Sequence, residues 1–147
     1  MAHFSGSVTI ARAPEDVFDF VADERNEPRY NPEMTTVQKL TDGPIGVGTR
    51  WRATVVSRGR PLSMEIEVTE FSRPARLGSV TRMTTARITG ALTFAPAAGG
   101  TLMSWSWNLE PKGAMRLLGP VFGAVGRKQE ERIWRSLKQL LEGEAPS

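Results

Sequence analysis

The chain has 147 residues, 39% of them hydrophobic and 24% charged, and a net charge of +3. That length buries about 70% of the unfolded surface and supports one real core, so disorder is excluded. The charge surplus is too small and too dispersed for a nucleic-acid binder, and the absence of cysteine excludes disulfides, thiol nucleophiles and thiolate metal sites.

The one histidine, His3, lies near the N-terminus, and zinc rarely accepts an all-carboxylate substitute for histidine and cysteine. No metal and no cofactor are expected. No apolar run approaches the ~20 residues that span a bilayer, and the start lacks the basic and apolar regions of a signal peptide. The expectation is one cytoplasmic domain over residues 1–147, monomer or homodimer, without a transmembrane segment.

In chain order, Phe4 to Ile10 reads as a first strand, rich in Ser, Thr, Val and Ile. Ala13-Pro14-Glu15-Asp16 starts a helix, with Pro at its first turn and two acids at the positive end of its dipole. Val17, Phe18, Phe20 and Val21 give it an apolar face, and it ends near Asp23. Arg25 to Tyr30 reads as a second short helix, stopped by Pro32. Met34 to Leu40 is a strand. The glycine-bearing stretch Thr41 to Gly48 is a turn, because a phosphate-cradling loop would need a helix after it and a strand follows.

Thr49 to Ser57 and Leu62 to Phe71 form a hairpin, with Gly59-Arg60 as a two-residue, Gly-first loop. That register pairs Trp51 with Val68, Ala53 with Ile66 and Val55 with Met64 on one face. It sets Arg52 against Glu67 and Thr54 against Glu65 on the other, so both glutamates read as arginine-compensated surface acids. Leu77 to Thr84 and Arg87 to Phe94 form a weaker hairpin around Thr85-Ala86. Thr101 to Leu109 then places Met103, Trp105, Trp107 and Leu109 on one face. With Phe94 opposite Met103, Leu92 meets Trp105 and Gly90 lies opposite Trp107, where the missing side chain leaves volume. Serines 104 and 106 point the other way.

After Pro111-Lys112-Gly113 the period turns helical to about Leu141, with Met115, Leu118, Phe122, Val125, Ile133, Leu137 and Leu140 in a stripe. Its first half holds three glycines and a proline, costing roughly 1 kcal/mol per glycine and about 3 for an interior proline. That material implies a kink, a close approach to the sheet or a wall that flexes. Its second half is charged.

This order of elements resembles the START-like helix-grip superfamily (SRPBCC), in its polyketide cyclase/dehydrase and lipid-transport branch. Carrying the resemblance are Val8 to Phe20, Tyr30-Asn31-Pro32 where relatives often have Trp-Asn-Pro, Gly46 to Trp51, Glu67 to Phe71, Gly99-Gly100-Thr101 and Leu137 to Glu142. It implies an α+β helix-grip fold: a curved antiparallel sheet of about seven strands wrapped around a long C-terminal helix, with two short helices after strand 1. It also implies an apolar pocket between sheet and helix, in which members carry lipids, sterols, hormones or polyketides and some catalyse cyclisation or dehydration.

The inward faces supply that pocket with Trp51, Met64, Ile66, Leu92, Phe94, Met103, Trp105 and Trp107, with Thr81 beside them. Phe18 comes from the first helix, and Met115, Leu118 and Phe122 from the last. Aromatics and methionines suit an adaptable cavity of the ~300–1,000 Å³ class, although the same stripe also suits a filled core. No catalytic constellation is visible; Tyr30 is the one candidate, as a hydroxyl at the pocket mouth. The sequence supports binding or transport of a small hydrophobic ligand (a lipid, a polyketide or a related aromatic). A cyclase/dehydratase-type enzyme and a protein-interaction or stress-response module are the alternatives.

Overall fold

The computed structural model describes residues 2–57 and 59–143; the side chains at 57, 114 and 118–123 lie outside the described set. Among these residues seven strands and four helical stretches follow one another: β1 (Ala2–Ile10), α1 (Pro14–Ala22), a 3₁₀ segment (Glu24–Arg29), β2 (Met34–Lys39), β3 (Arg50–Ser57), β4 (Arg60–Ser72), β5 (Arg76–Arg82), β6 (Ala86–Ala97) and β7 (Gly100–Pro111). A second 3₁₀ segment (Gly113–Leu118) then leads into α2 (Gly119–Gly143). The strands form one antiparallel sheet in the order β1-β7-β6-β5-β4-β3-β2. Irregularities between Val68 and Glu70 in β4, and between Met34 and Thr36 in β2, bend its far half.

α1 starts as the sequence predicts, with Pro14 in its first turn beside Glu15 and Asp16, and it buries Val17, Phe18, Val21 and Ala22. Phe18 makes edge-on contacts with Phe71 at 5.1 Å and Phe94 at 5.2 Å, which pins the helix over one end of the sheet. Asp23 then caps the 3₁₀ segment by accepting from the Arg25 backbone N–H.

α2 packs chiefly along β1. Gly126 makes that approach possible, because a Cβ there would meet the Phe4 ring at 3.2 Å. Trp134, Leu137 and Leu141 follow on its buried face. The helical period expected from about residue 114 divides in two: a 3₁₀ turn precedes the α-helix, so Pro120 falls in the first turn of α2, where its missing N–H costs nothing.

Two expectations about register change. The β3–β4 hairpin closes at Ser57↔Arg60, with Gly59 in its loop at φ 76° and Arg60 already paired. Trp51 therefore faces Ile66, Ala53 faces Met64 and Val55 faces Leu62, two residues from the expected pairing. A slip of two preserves each side chain's face, so the inward set is unchanged. On the outer face Arg50 pairs with Glu65 at 3.4 Å and Arg82 with Glu67 at 3.1 Å. The β5–β6 turn spans residues 83–85, one residue earlier than expected.

Gly90 is opposite Trp107, as expected, but it leaves no volume. A Cβ there would meet the Ser106 carbonyl oxygen at 2.0 Å and Trp107 Cε3 at 2.9 Å, and its φ of +153° suits glycine alone. The space belongs to the neighbouring strand. Gly90→Ala should therefore destabilise by about 2–4 kcal/mol in urea unfolding, whereas a glycine facing a void would tolerate alanine.

Candidate functional site

The apolar interior falls into two clusters. The larger joins α1, α2, β1 and β4–β7 through Phe18, Tyr30, Trp105, Trp107, Trp134 and Leu137, among others. The smaller gathers Met34, Trp51, Ala53 and Ile66 on β2–β4, with Val37, Ile45, Val55 and Met64 against it. Between them lies a cavity of about 370 Å³ lined by members of both.

The sheet supplies its apolar wall: Trp51 and Val55 from β3, Leu62, Met64, Ile66 and Val68 from β4, Leu77 from β5, Ile88 and Leu92 from β6, Trp107 and Leu109 from β7. α2 closes the opposite side with Val125, Gly126, Ile133 and Trp134. Ser79, Thr81 and Thr85 add neutral polar groups.

One end is acidic. Glu24 and Glu27 enter from the 3₁₀ segment, where residues three apart share a face, and Glu33 follows Pro32. Glu130 enters from α2. Asn31 donates to Glu27 at 2.9 Å, and Gln129 donates to Glu33 at 3.1 Å, tying α2 to the segment that leads into β2. Among the described residues no lysine, arginine or histidine lines the cavity. The guanidinium of Arg25 pairs with Asp23 and stands 5.8 Å from the centre of the Trp51 ring.

Burial pushes Glu130 up to about 8, with the negative charge of Glu27 adding to it; the indole N–H groups of Trp134 and Trp107 oppose the rise. Trp134 donates a hydrogen bond to Glu130, whereas the Trp107 N–H faces it from outside hydrogen-bonding geometry and has no partner. Glu24 is pushed well above the usual carboxylate range, by burial first and then by Glu27, Asp23 and Glu130, and its Oε2 has no partner. Glu130 therefore holds its proton at neutral pH, and Glu24 is shifted in the same direction. Among the described residues no group of His, Asp and Glu is arranged to hold a metal ion, and no helix is long and apolar enough to cross a membrane.

Of the residues expected at the pocket, Trp51, Met64, Ile66, Thr81, Leu92 and Trp107 line this cavity. Phe18, Phe94 and Met103 do not: Phe18 packs from α1 onto Phe94, and Met103 is fully buried in the same larger cluster. Trp105 lies instead over Gly6, where a Cβ would meet its Cζ2 at 2.4 Å. Tyr30 is buried, not at a mouth; its ring stacks between Phe20 at 6.0 Å and Trp134 at 5.8 Å, and burial raises its hydroxyl well above 10. Met115 is half-buried in the second 3₁₀ segment and does not line the cavity. The side chains of Leu118 and Phe122 lie outside the described residues. His3 is exposed within β1, with Nε2 3.0 Å from Ser106 Oγ.

Trp134 and the acids Glu24, Glu27 and Glu130 escaped the sequence reading. A signal for two of them exists: Glu130, Trp134, Leu137 and Leu141 recur at helical spacing, which places a carboxylate on the buried stripe of a helix whose charged half reads as solvated.

A carboxyl raised by folding stabilises the protein below its unfolded value near 4.5, and that stability is lost as pH rises through the folded value. Urea midpoints should fall between pH 6 and pH 9. Glu130→Gln should flatten that fall and gain on the order of 3 kcal/mol at pH 9, since one pKa unit is worth about 1.4 kcal/mol. A midpoint that holds constant across this range would refute the assignment.

The fold has solved counterparts. A START superfamily protein from Mycobacterium smegmatis superposes with a TM-score of 0.85 at 18% identity, covering 99% of this chain and 100% of its own. A protein from Thermus thermophilus gives 0.82 at 19%, covering 97% and 99%. StfQ, a di-domain ARO/CYC of the steffimycin biosynthetic pathway, gives 0.80 at 13%, covering 97% of this chain and 51% of its own. None of the curated proteins matches the chain in sequence. The family model described as polyketide cyclase / dehydrase and lipid transport matches residues 1–142, and with the helix-grip architecture above this places the chain in that family.

Proposed function

We propose that the protein binds a small hydrophobic ligand in the cavity between sheet and α2. The observation that carries this reading is the division of the core: the two apolar clusters do not meet, and about 370 Å³ of largely apolar space separates them. A space of this size falls within the range of small-molecule pockets, and an ordinary close-packed interior holds few voids larger than a water. The family's description, polyketide cyclase / dehydrase and lipid transport, supports a ligand of lipid or polyketide type.

A second reading, acid–base catalysis of the cyclase or dehydratase kind in the same cavity, is supported by one feature. Glu130 holds its proton at neutral pH beside apolar space, as a general acid must, and burial raises Glu24 next to it. On this reading the proton carrier is a glutamate, since Tyr30 neither lines the cavity nor ionises readily. Glu130→Gln would then abolish turnover of a bound substrate while Tyr30→Phe retained it, measured by chromatography of the recovered ligand.

The binding reading is tested with an uncharged environment-sensitive probe, 1-N-phenylnaphthylamine. The expected outcome is saturable fluorescence enhancement at one site per chain. It should be lost in Ile88→Trp, which fills the cavity, with the unfolding temperature within a few degrees of wild type. Absence of saturable binding, or binding unchanged in Ile88→Trp, would overturn it.

A further inference from the structure

Resting on the binding reading, the charge around the cavity says which polar end such a ligand carries. Among the described residues four glutamates line it, Glu24, Glu27, Glu33 and Glu130, and no cationic side chain does. Glu33 is tied by Gln129, and Glu27 by Asn31. Glu24 keeps an unpartnered carboxyl oxygen with no exposure to solvent.

A second observation, independent of the acids, points to a ligand at the same end. Trp107 lines the cavity, is only 8% exposed, and leaves its indole N–H unpartnered on the side that faces Glu130. Buried polar groups are almost always satisfied, so an orphan donor and an orphan acceptor at one end of an apolar cavity mark where a polar group is missing.

We infer that the cavity takes an apolar ligand capped by a hydrogen-bond-donating group, an alcohol or an amine, with the cap at Glu24 and Glu130, and that it rejects ligands capped by a carboxylate. An alcohol donates to a glutamate and can accept from the Trp107 N–H. An amine donates and, when charged, offsets the acids. A carboxylate would have to give up water beside these acids with no cationic side chain among the described lining residues, and a desolvated charge without a partner is costly.

The test is calorimetric titration of the whole chain at pH 7 with two matched series, decylamine, 1-decanol and decanoate, and 2-(2-naphthyl)ethylamine, 2-(2-naphthyl)ethanol and 2-naphthylacetate. In at least one series the amine and alcohol should bind about tenfold or more tighter than the carboxylate, a ratio worth about 1.4 kcal/mol. In the Glu24→Gln/Glu130→Gln double variant the amine's lead over the carboxylate should shrink to about threefold or less, because an amide cannot ionise to pair with an ammonium, while the alcohol's affinity is kept. A merely structural role would weaken all three ligands together and overturn the assignment to these glutamates. Saturable carboxylate binding equal to or tighter than the others would overturn the inference and leave the cavity reading standing. Failure of all six compounds to bind would overturn the cavity reading and this inference with it. If the double variant does not fold, the wild-type ranking alone decides.

Discussion

A single helix cannot cover a seven-stranded sheet, and the rest of the structure follows from that mismatch. Six strand gaps of about 4.8 Å span roughly 29 Å, while a helix with its side chains is about 10–12 Å across. α2 lies along β1, at one edge, and α1 sits over one end of β6 and β7. The β2–β4 half must bury its apolar face by bending back, and the irregularities in β2 and β4 supply the bend. It builds its own small cluster around Trp51, and space remains between the two. The cavity is a consequence of coverage.

Charge is distributed unequally across this architecture. On the outer face, arginines and acids pair along and between elements, as in Arg50–Glu65, Arg82–Glu67, Arg76–Glu70 and Arg73–Asp19. Exposed pairs of this kind contribute about 0–1 kcal/mol each and serve solubility more than stability. Inside, the acids face apolar space with no cation among the lining residues. A chain with net charge +3 thus encloses an acidic interior end. Burial and neighbouring acids raise Glu24 and Glu130, which costs folding free energy at alkaline pH and gives the cavity a hydrogen-bonding end.

The tryptophans divide by what lies opposite them. Trp105 faces Gly6, and its ring fills the gap that glycine leaves, so it is spent on packing. Trp107 faces Gly90 across the pair, but there the backbone of β7 comes close enough to occupy the missing side chain's place. Its ring lines the cavity instead. Trp134, on α2, joins Trp105 at 6.4 Å and Tyr30 at 5.8 Å, linking the helix, the sheet and the 3₁₀ segment in one aromatic row. That row forms part of the frame against which Glu130 is held.

Strand alternation, the Pro-led first helix and the long terminal helix are all legible from residue patterns, because each depends on neighbours within a few positions. The inward faces of β3, β4 and β7 are legible for the same reason: a period of two survives even the two-residue slip in the β3–β4 hairpin, since such a slip returns each side chain to its face. What alternation cannot say is which inward residues meet open space and which meet another element. Phe18, Phe94, Met103 and Trp105 share the inward pattern with Trp51 and Leu92, yet α1, Gly6 and α2 fill the space before them. Glu24, Glu27 and Glu130 read as solvated in a charged stretch, and they become an acidic cluster only because the 3₁₀ segment and α2, about 100 residues apart, pack toward one cavity. Local periodicity determined the elements and their faces; the meeting of distant elements decided where space and charge coincide, because desolvation depends on everything that surrounds a group and not on its place in the chain.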